Sequence, residues 1–301
     1  MKRKLVSAIL CGAMVLAMMT GCGSSGDAKG DKITINLYQN KSEMADQLQA
    51  AAEKYSEENP NVKINVESIQ GNDYNTNLKA KLMSDDSVDI YALGNNIASM
   101  TDYVEDLSDQ DWVSHAVEGS LDAVTLDGKV YGIPVSVEGY GLVYNKEIFK
   151  DAGIDASTLT SYDAIDAAFA NLQEQIDSGK LKDKYPQREA VEEYAAKETW
   201  IPGLHTINAP LACEYKNANE LEASDDLGLK YADSLKALLD LETKYTTSKD
   251  DLSKLNAVDY STEIGGGLAI ERVAVVQQGN WIGPELKGID ETIANKMGIL
   301  P

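Results

Sequence analysis

The stretch Asp127–Ile154, DGKVYGIPVSVEGYGLVYNKEIFKDAGI, constrains the fold of this chain more than any other. Asp127-Gly128 is a turn signal, the β-rich run Val130–Val137 is broken by Pro134, and Gly139 and Gly141 relax the backbone. Leu142-Val143-Tyr144 then opens a second strand, and a short helix over Lys146–Ala152 stops at Gly153. Such a passage reads as one extended segment that leaves a first globular lobe and enters a second. Two lobes joined in this way enclose a cleft that can close. The same residues also fit an ordinary strand, turn and helix of any α/β protein, so the flanking sequence has to decide.

On the amino-terminal side the periodicities alternate. Ile33–Leu37 reads as a strand, and Ser42 is placed to cap a helix with Met44, Leu48, Ala52 and Tyr55 on one face, ended by Asn59-Pro60. Val62, Ile64 and Val66 form a second strand. Tyr74, Leu78 and Leu82 share one face of a second helix, and Val88–Leu93 is a third strand. This βαβαβ order predicts a parallel sheet with helices on its faces. Beyond the crossing, Thr160 is expected to cap a helix burying Ile165, Phe169, Leu172 and Ile176, and the charged segment Ser178–Lys197 to form a surface helix pair. A long helix is predicted over Asp225–Tyr245 with Tyr231, Leu235, Leu238, Leu241 and Tyr245 facing inward. Val273–Gln277 is read as a strand, Trp281–Leu286 as a helical turn, and Met297–Leu300 as the last strand.

The first 21 residues have the form of an export signal. Lys2, Arg3 and Lys4 precede an apolar stretch, Leu5–Met19, too short and wrongly flanked for a membrane span. Met19-Thr20-Gly21-Cys22 has the pattern of a lipobox, with Met19 where leucine is commonest, and predicts lipidation at Cys22. Residues 22–31, starting Cys-Gly-Ser-Ser-Gly, read as the flexible tether of an anchored protein. The formal net charge of −22 becomes more negative once the three leader cations are removed, which argues against a nucleic-acid partner. Cys213 is the sole cysteine beyond Cys22, so no intramolecular disulfide is expected. The two histidines, His115 and His205, have neither HxxxH nor CxxC spacing, and no metal or other cofactor is expected.

In open α/β sheets ligands sit beyond the carboxyl ends of strands. That rule selects Tyr38, Gln39 and Asn40 after the first strand, Gly94 and Asn95 after the third, Glu138 and Tyr140 at the crossing, and Asn280 and Trp281 after the Val273 strand. Glu138 stands out, because an acid between Val137 and Gly139 in an apolar segment needs a partner or a ligand.

The crossing segment, together with LYQNKSEMADQLQAAAEKYSEENPNVKINVESI, YNTNLKAKLMSDDSVDIYAL, ERVAVVQQGNWIG and KMGILP in that order, resembles the extracellular solute-binding lipoproteins of ABC importers, the family that includes maltodextrin- and other sugar-binding proteins. The resemblance extends over nearly the whole chain. It implies a two-lobed periplasmic-binding-protein-like α/β fold, each lobe a mainly parallel sheet flanked by helices, with an interlobe hinge. The lobes would comprise residues 32–137 and 138–301. It also implies a C-terminally incomplete member, since the family continues past the strand at Met297–Leu300, crosses back to the first lobe and then adds helices to the second. Carried over residue by residue, Glu138 falls at a cleft glutamate, Trp281 in GNW at a sugar-stacking tryptophan, and Glu198-Thr199-Trp200 resembles, more loosely, an acidic-then-aromatic cleft segment.

The expected function is therefore capture of a carbohydrate by hinge closure and its delivery to the membrane permease. The protein would act as an extracytoplasmic, lipid-anchored monomer without catalytic activity. Anion binders clamp their ligand with arginine, and the mature chain contains only Arg188, placed by its charged surroundings on a surface helix, and Arg272 beside Glu271. A neutral polyol fits better, because aromatic faces suit a pyranose and Glu, Asn and Gln suit its hydroxyls. A cationic ligand such as a polyamine is the alternative within binding proteins. An exported glycoside hydrolase and a purely structural surface lipoprotein are the alternatives outside them.

Overall fold

The computed structural model describes residues 32–69, 73–84, 87–94 and 97–300. The expected signal peptide, the tether with Cys22, and Asn95 lie outside the described residues.

The first lobe is built on a three-stranded parallel sheet of order β2-β1-β3, with β1 Ile33–Gln39, β2 Val62–Ser68 and β3 Ile90–Tyr91. Helix α1, Ala45–Glu58, and helix α2, Tyr74–Leu82, supply the crossovers. α1 ends before Asn59-Pro60, as a helix must where proline removes a donor and restricts its predecessor. Ser42 does not cap it. Residues Ser42–Met44 form a 3₁₀ turn with no side-chain cap, and Tyr55 is exposed while Ala52 is buried. The third strand is two residues long, much shorter than Val88–Leu93, and pairs only with Leu37 and Tyr38 of β1. The core of this lobe is Tyr38, Tyr74, Leu78 and Met100.

β4, Thr125–Leu126, and β5, Lys129–Val130, form a two-residue hairpin whose Asp127 and Gly128 have φ of 52° and 78°, as a tight turn of this hand requires. The ladder stops there. From Tyr131 to Gly139 the chain has no regular pairing, Pro134 cannot donate to a ladder, and Ile133, Val135 and Val137 are exposed. The β-rich run is thus extended without belonging to a sheet.

The second lobe corrects the expectation of a mainly parallel sheet. Its four strands, β6 Tyr140–Asn145, β7 Glu192–Glu193, β8 Val275–Gly279 and β9 Met297–Leu300, have the order β7-β8-β6-β9. β6 runs antiparallel to both neighbours, and only β7 and β8 are parallel. Helix α3, Lys146–Asp151, starts at Asn145, whose side chain accepts from the amides of Glu147 and Ile148, and the chain leaves it through Gly153 at φ 74°. Helix α4, Tyr162–Asp177, is capped by Ser161 rather than Thr160 and buries Ile165, Phe169 and Leu172. Helix α5, Ala232–Lys244, is shorter than expected and buries Leu241 against the core, while Tyr231 is exposed.

The largest departure is Ser178–Lys197. Instead of a surface helix pair it is a run of turns leading into β7, where Ala190, Val191, Glu192 and Glu193 are buried. Arg188 is correspondingly not on a surface helix: its guanidinium is buried over the Tyr185 ring at 5.4 Å. Burial pushes its pKa down to about 10. The cores of the two lobes share no residue, one drawing on residues 38–104 and the others on 142–300.

Candidate ligand cleft

The carboxyl ends of β1 and β8 and the amino end of the antiparallel β6 meet where the chain crosses between lobes. Tyr140, first residue of β6, pairs with Gly279, last residue of β8, so the residues that follow β8 lie beside the crossing. Asn280 closes this corner: its amide donates to Gly139 O at 3.1 Å and its Oδ1 accepts from Gly139 N at 3.0 Å. Both groups are used on the crossing, so Asn280 holds the hinge segment to the second lobe.

Trp281 follows, immediately before helix α6, Ile282–Ile289. Its Nε1 donates to Gln278 Oε1 at 2.9 Å, and Gln278 Nε2 donates in turn to the buried Glu263 at 2.6 Å. The indole lies against Gly279, where a Cβ would come within 2.1 Å of a ring atom. Trp200 leads into a wide helical turn, Ile201–Thr206, which brings His205 under the same aromatic group. His205 stacks on Tyr140 at 4.4 Å and meets Trp200 and Trp281 at 5.2 Å each, and the two tryptophans stand 6.4 Å apart. Tyr260 extends the cluster at 6.0 Å from Trp200.

Polar groups edge these rings. Asn208 donates to the Tyr140 hydroxyl at 2.9 Å. His205 Nδ1 lies 3.0 Å from Gln277 Oε1, an acceptor, so Nδ1 carries the proton. Burial, and secondarily the charge of Lys41, lower the His205 pKa, which leaves a neutral imidazole at neutral pH. Glu138 pairs with Lys41 of the first lobe, and Ser136 donates to its other oxygen at 3.4 Å.

Beneath the aromatic floor lies a group of buried acids. Glu192 and Glu263 are fully buried, Glu193 and Glu242 nearly so. Thr206 donates to Glu242 at 2.9 Å, Ala195 N to Glu263 at 3.2 Å, and Thr247 to Glu193 at 2.7 Å. Burial raises all four pKa values, that of Glu242 to about 7, and neighbouring acids push Glu192, Glu193 and Glu263 further in the same direction. Among the described residues no group of His, Cys, Asp and Glu is arranged to hold a metal ion.

Of the residues expected at the cleft, the structure brings together Glu138, Tyr140, Trp200 and Trp281, with Asn280 holding the backbone beside them. Tyr38 is not among them: it is fully buried in the first-lobe core, stacked on Tyr74 at 4.9 Å. Gln39 is also buried, donating to Ser68 and accepting from Lys41 N, and so shapes the turn after β1. His205, Tyr260, Asn208 and Lys41 were not anticipated. None belongs to a local motif, and only folding places them beside the tryptophans. Arg272 is engaged by Glu189 at 2.8 Å and faces Glu193 at 3.7 Å.

Comparison with known proteins agrees with this architecture. The chain is 26% identical over 144 residues to the multiple sugar-binding protein of Streptococcus mutans, covering 46% of this chain and 34% of that protein. It is 24% identical over 245 residues to the xylose/arabinose-binding protein XacG of Haloferax volcanii, covering 77% of this chain and 50% of that one. The matches thus span about a third to a half of the curated relatives' length. Among solved structures, RafE in complex with raffinose superposes with a TM-score of 0.67 at 20% identity, over 89% of this chain and 67% of the other. The GacH receptor of Streptomyces glaucescens superposes with 0.64 at 19% identity, over 90% and 67%. At such identities the superpositions establish the two-lobed α/β fold. Residues 41–207, more than half of the chain, match one family throughout, and the chain belongs to the bacterial extracellular solute-binding proteins.

Proposed function

We propose that this protein is the extracytoplasmic substrate-binding component of a carbohydrate ABC importer, taking a sugar or oligosaccharide between its lobes and presenting it to the membrane permease. The observation that carries this reading is the convergence of Trp281, Trp200, Tyr140 and His205 on one wall of the cleft, edged by neutral amides. Aromatic faces stack on the C–H faces of pyranose rings, while amide and carboxylate edges accept and donate to hydroxyls. The relatives named for sugars support the same class. The family is one of binding proteins, and the ligand is expected to return chemically unchanged.

A cationic ligand is disfavoured, because Glu138 at the mouth of the cleft already has Lys41 as its countercharge. Calorimetric titration with a panel of mono- and oligosaccharides and polyamines tests the assignment. Binding of a sugar is the expected result, and binding of polyamines alone would replace it.

Lipid anchoring through Cys22 belongs to the same reading, supported by the basic leader and the Gly21-Cys22 pair, and the protein is read as acting as a monomer. In a lipoprotein-processing host, Cys22→Ala is expected to leave protein unprocessed or released from the membrane fraction. Equal membrane fractions and equal mature masses for wild type and variant would sink the anchor.

A further inference from the structure

The turn after β1 reaches the opposite lobe. Lys41 lies two residues beyond the strand, and its amide is held by Gln39 Oε1, which aims the side chain out of the first lobe. Its ammonium pairs with Glu138 on the crossing and stands 5.6 Å from the centroid of the Trp281 ring. Glu43, on the same turn, lies 3.7 Å from the ammonium. The contact is partly withdrawn from water, with Lys41 37% and Glu138 22% exposed. Within its own lobe Trp281 meets Gly279, Trp200 and His205, and from the other lobe it is met by Lys41. A cation over an indole and a sugar stacked on it need the same surface.

We propose that Lys41 is a built-in competitor for the ligand. In the unliganded protein its ammonium clasps the lobes together through Glu138 and Trp281, and a neutral ligand enters by displacing it. By supplying the countercharge of Glu138, the same side chain makes the cleft reject cations. The apparent affinity for a sugar is then reduced by the fraction of molecules in which the clasp is shut. The inference rests on the cleft reading above for its ligand, but the clasp itself is measurable without any ligand.

The decisive variant is Lys41→Met, which keeps the length of the side chain and removes its charge, with Lys41→Arg as the charge-retaining control. Small-angle scattering of the unliganded protein is expected to give a larger radius of gyration for K41M than for wild type, with K41R unchanged. High salt should open wild type and leave K41M as it was. In titrations with raffinose as probe, K41M is expected to bind about three- to tenfold more tightly, the range of a partly exposed ion pair and cation–π contact together. Spermidine is expected to bind K41M and not wild type. Equal radii of gyration for K41M and wild type overturn the clasp, as does weaker raffinose binding by K41M, which would make Lys41 a sugar contact. If neither protein binds raffinose, the carbohydrate probe has failed and the scattering result alone decides the clasp.

Discussion

Trp281→Ala is expected to weaken sugar binding by about thirtyfold or more, the equivalent of about 2 kcal/mol, because a tryptophan at the centre of a closed cleft behaves as a hot spot. The indole is held for that task. Gln278 fixes its Nε1, buried Glu263 fixes Gln278, and Gly279 lets the ring lie against the backbone. A second substitution separates the presence of the ring from its placement. In Gly279→Ala the new Cβ would fall 2.1 to 2.5 Å from three ring atoms, so the indole must move. The expected outcome is a loss of affinity in the same direction as W281A in a protein that still folds. Calorimetry gives the affinities and thermal unfolding reports the fold. If W281A leaves every affinity in the panel untouched, the cleft is elsewhere; if G279A binds like wild type, the placement of the ring is not critical.

The buried acids predict an unusual dependence of stability on pH. Glu242 is the most tractable: burial raises its pKa from 4.5 to about 7, against the opposing hydrogen bonds of Thr206 and Tyr194. A carboxyl with a raised folded-state pKa binds its proton more tightly in the native protein. Its contribution to stability is therefore fully present below the unfolded value and is lost as pH rises through about 7. For Glu242 this amounts to about 3 kcal/mol between pH 4 and pH 8. Glu192, beside it, and Glu263 are also raised by burial and act in the same sense. Asp259 works at the other end. Its hydrogen bonds to Thr262 and Lys197 depress its pKa, so its contribution is lost as pH falls below the usual carboxylate range. Wild type is thus expected to unfold at progressively lower urea concentrations from pH 5 to pH 8. Glu242→Gln, which keeps the shape and can still accept from Thr206, should flatten that slope and be the more stable protein at pH 8. Parallel pH profiles for wild type and E242Q would show that Glu242 is ionised throughout and the burial argument mistaken.

Features that depend on neighbours along the chain could be read before folding. Asn59-Pro60 ends α1, Tyr74, Leu78 and Leu82 define α2, Asp127-Gly128 makes the tight hairpin, and Gly153 releases the chain from α3, because periodicity, caps and turn residues act over a few bonds. The two-lobed fold was legible too, through the order of these elements and their resemblance to a known family. Glu138, Tyr140 and Trp281 could be named in advance because they follow strand ends or sit in the crossing. Long-range pairing, by contrast, emerges only in the folded chain. The charged run before Trp200 contains β7, buried beside β8, where a surface helix was expected; charge patterning assumes solvation, and only the sheet shows that Glu192 and Glu193 lack it. Tyr38 had two faces to choose from, and Tyr74, across the parallel sheet's crossover, took it into the core. His205, Asn208 and Lys41 carry no local signal for the cleft, since the contacts that tie them to the crossing, His205 and Asn208 to Tyr140 and Lys41 to Glu138, join residues 65 or more apart in the chain. The direction of β6 was equally invisible, because an isolated strand pattern reads the same parallel or antiparallel, and it is this antiparallel insertion that sets Tyr140 beside Trp281 at the cleft.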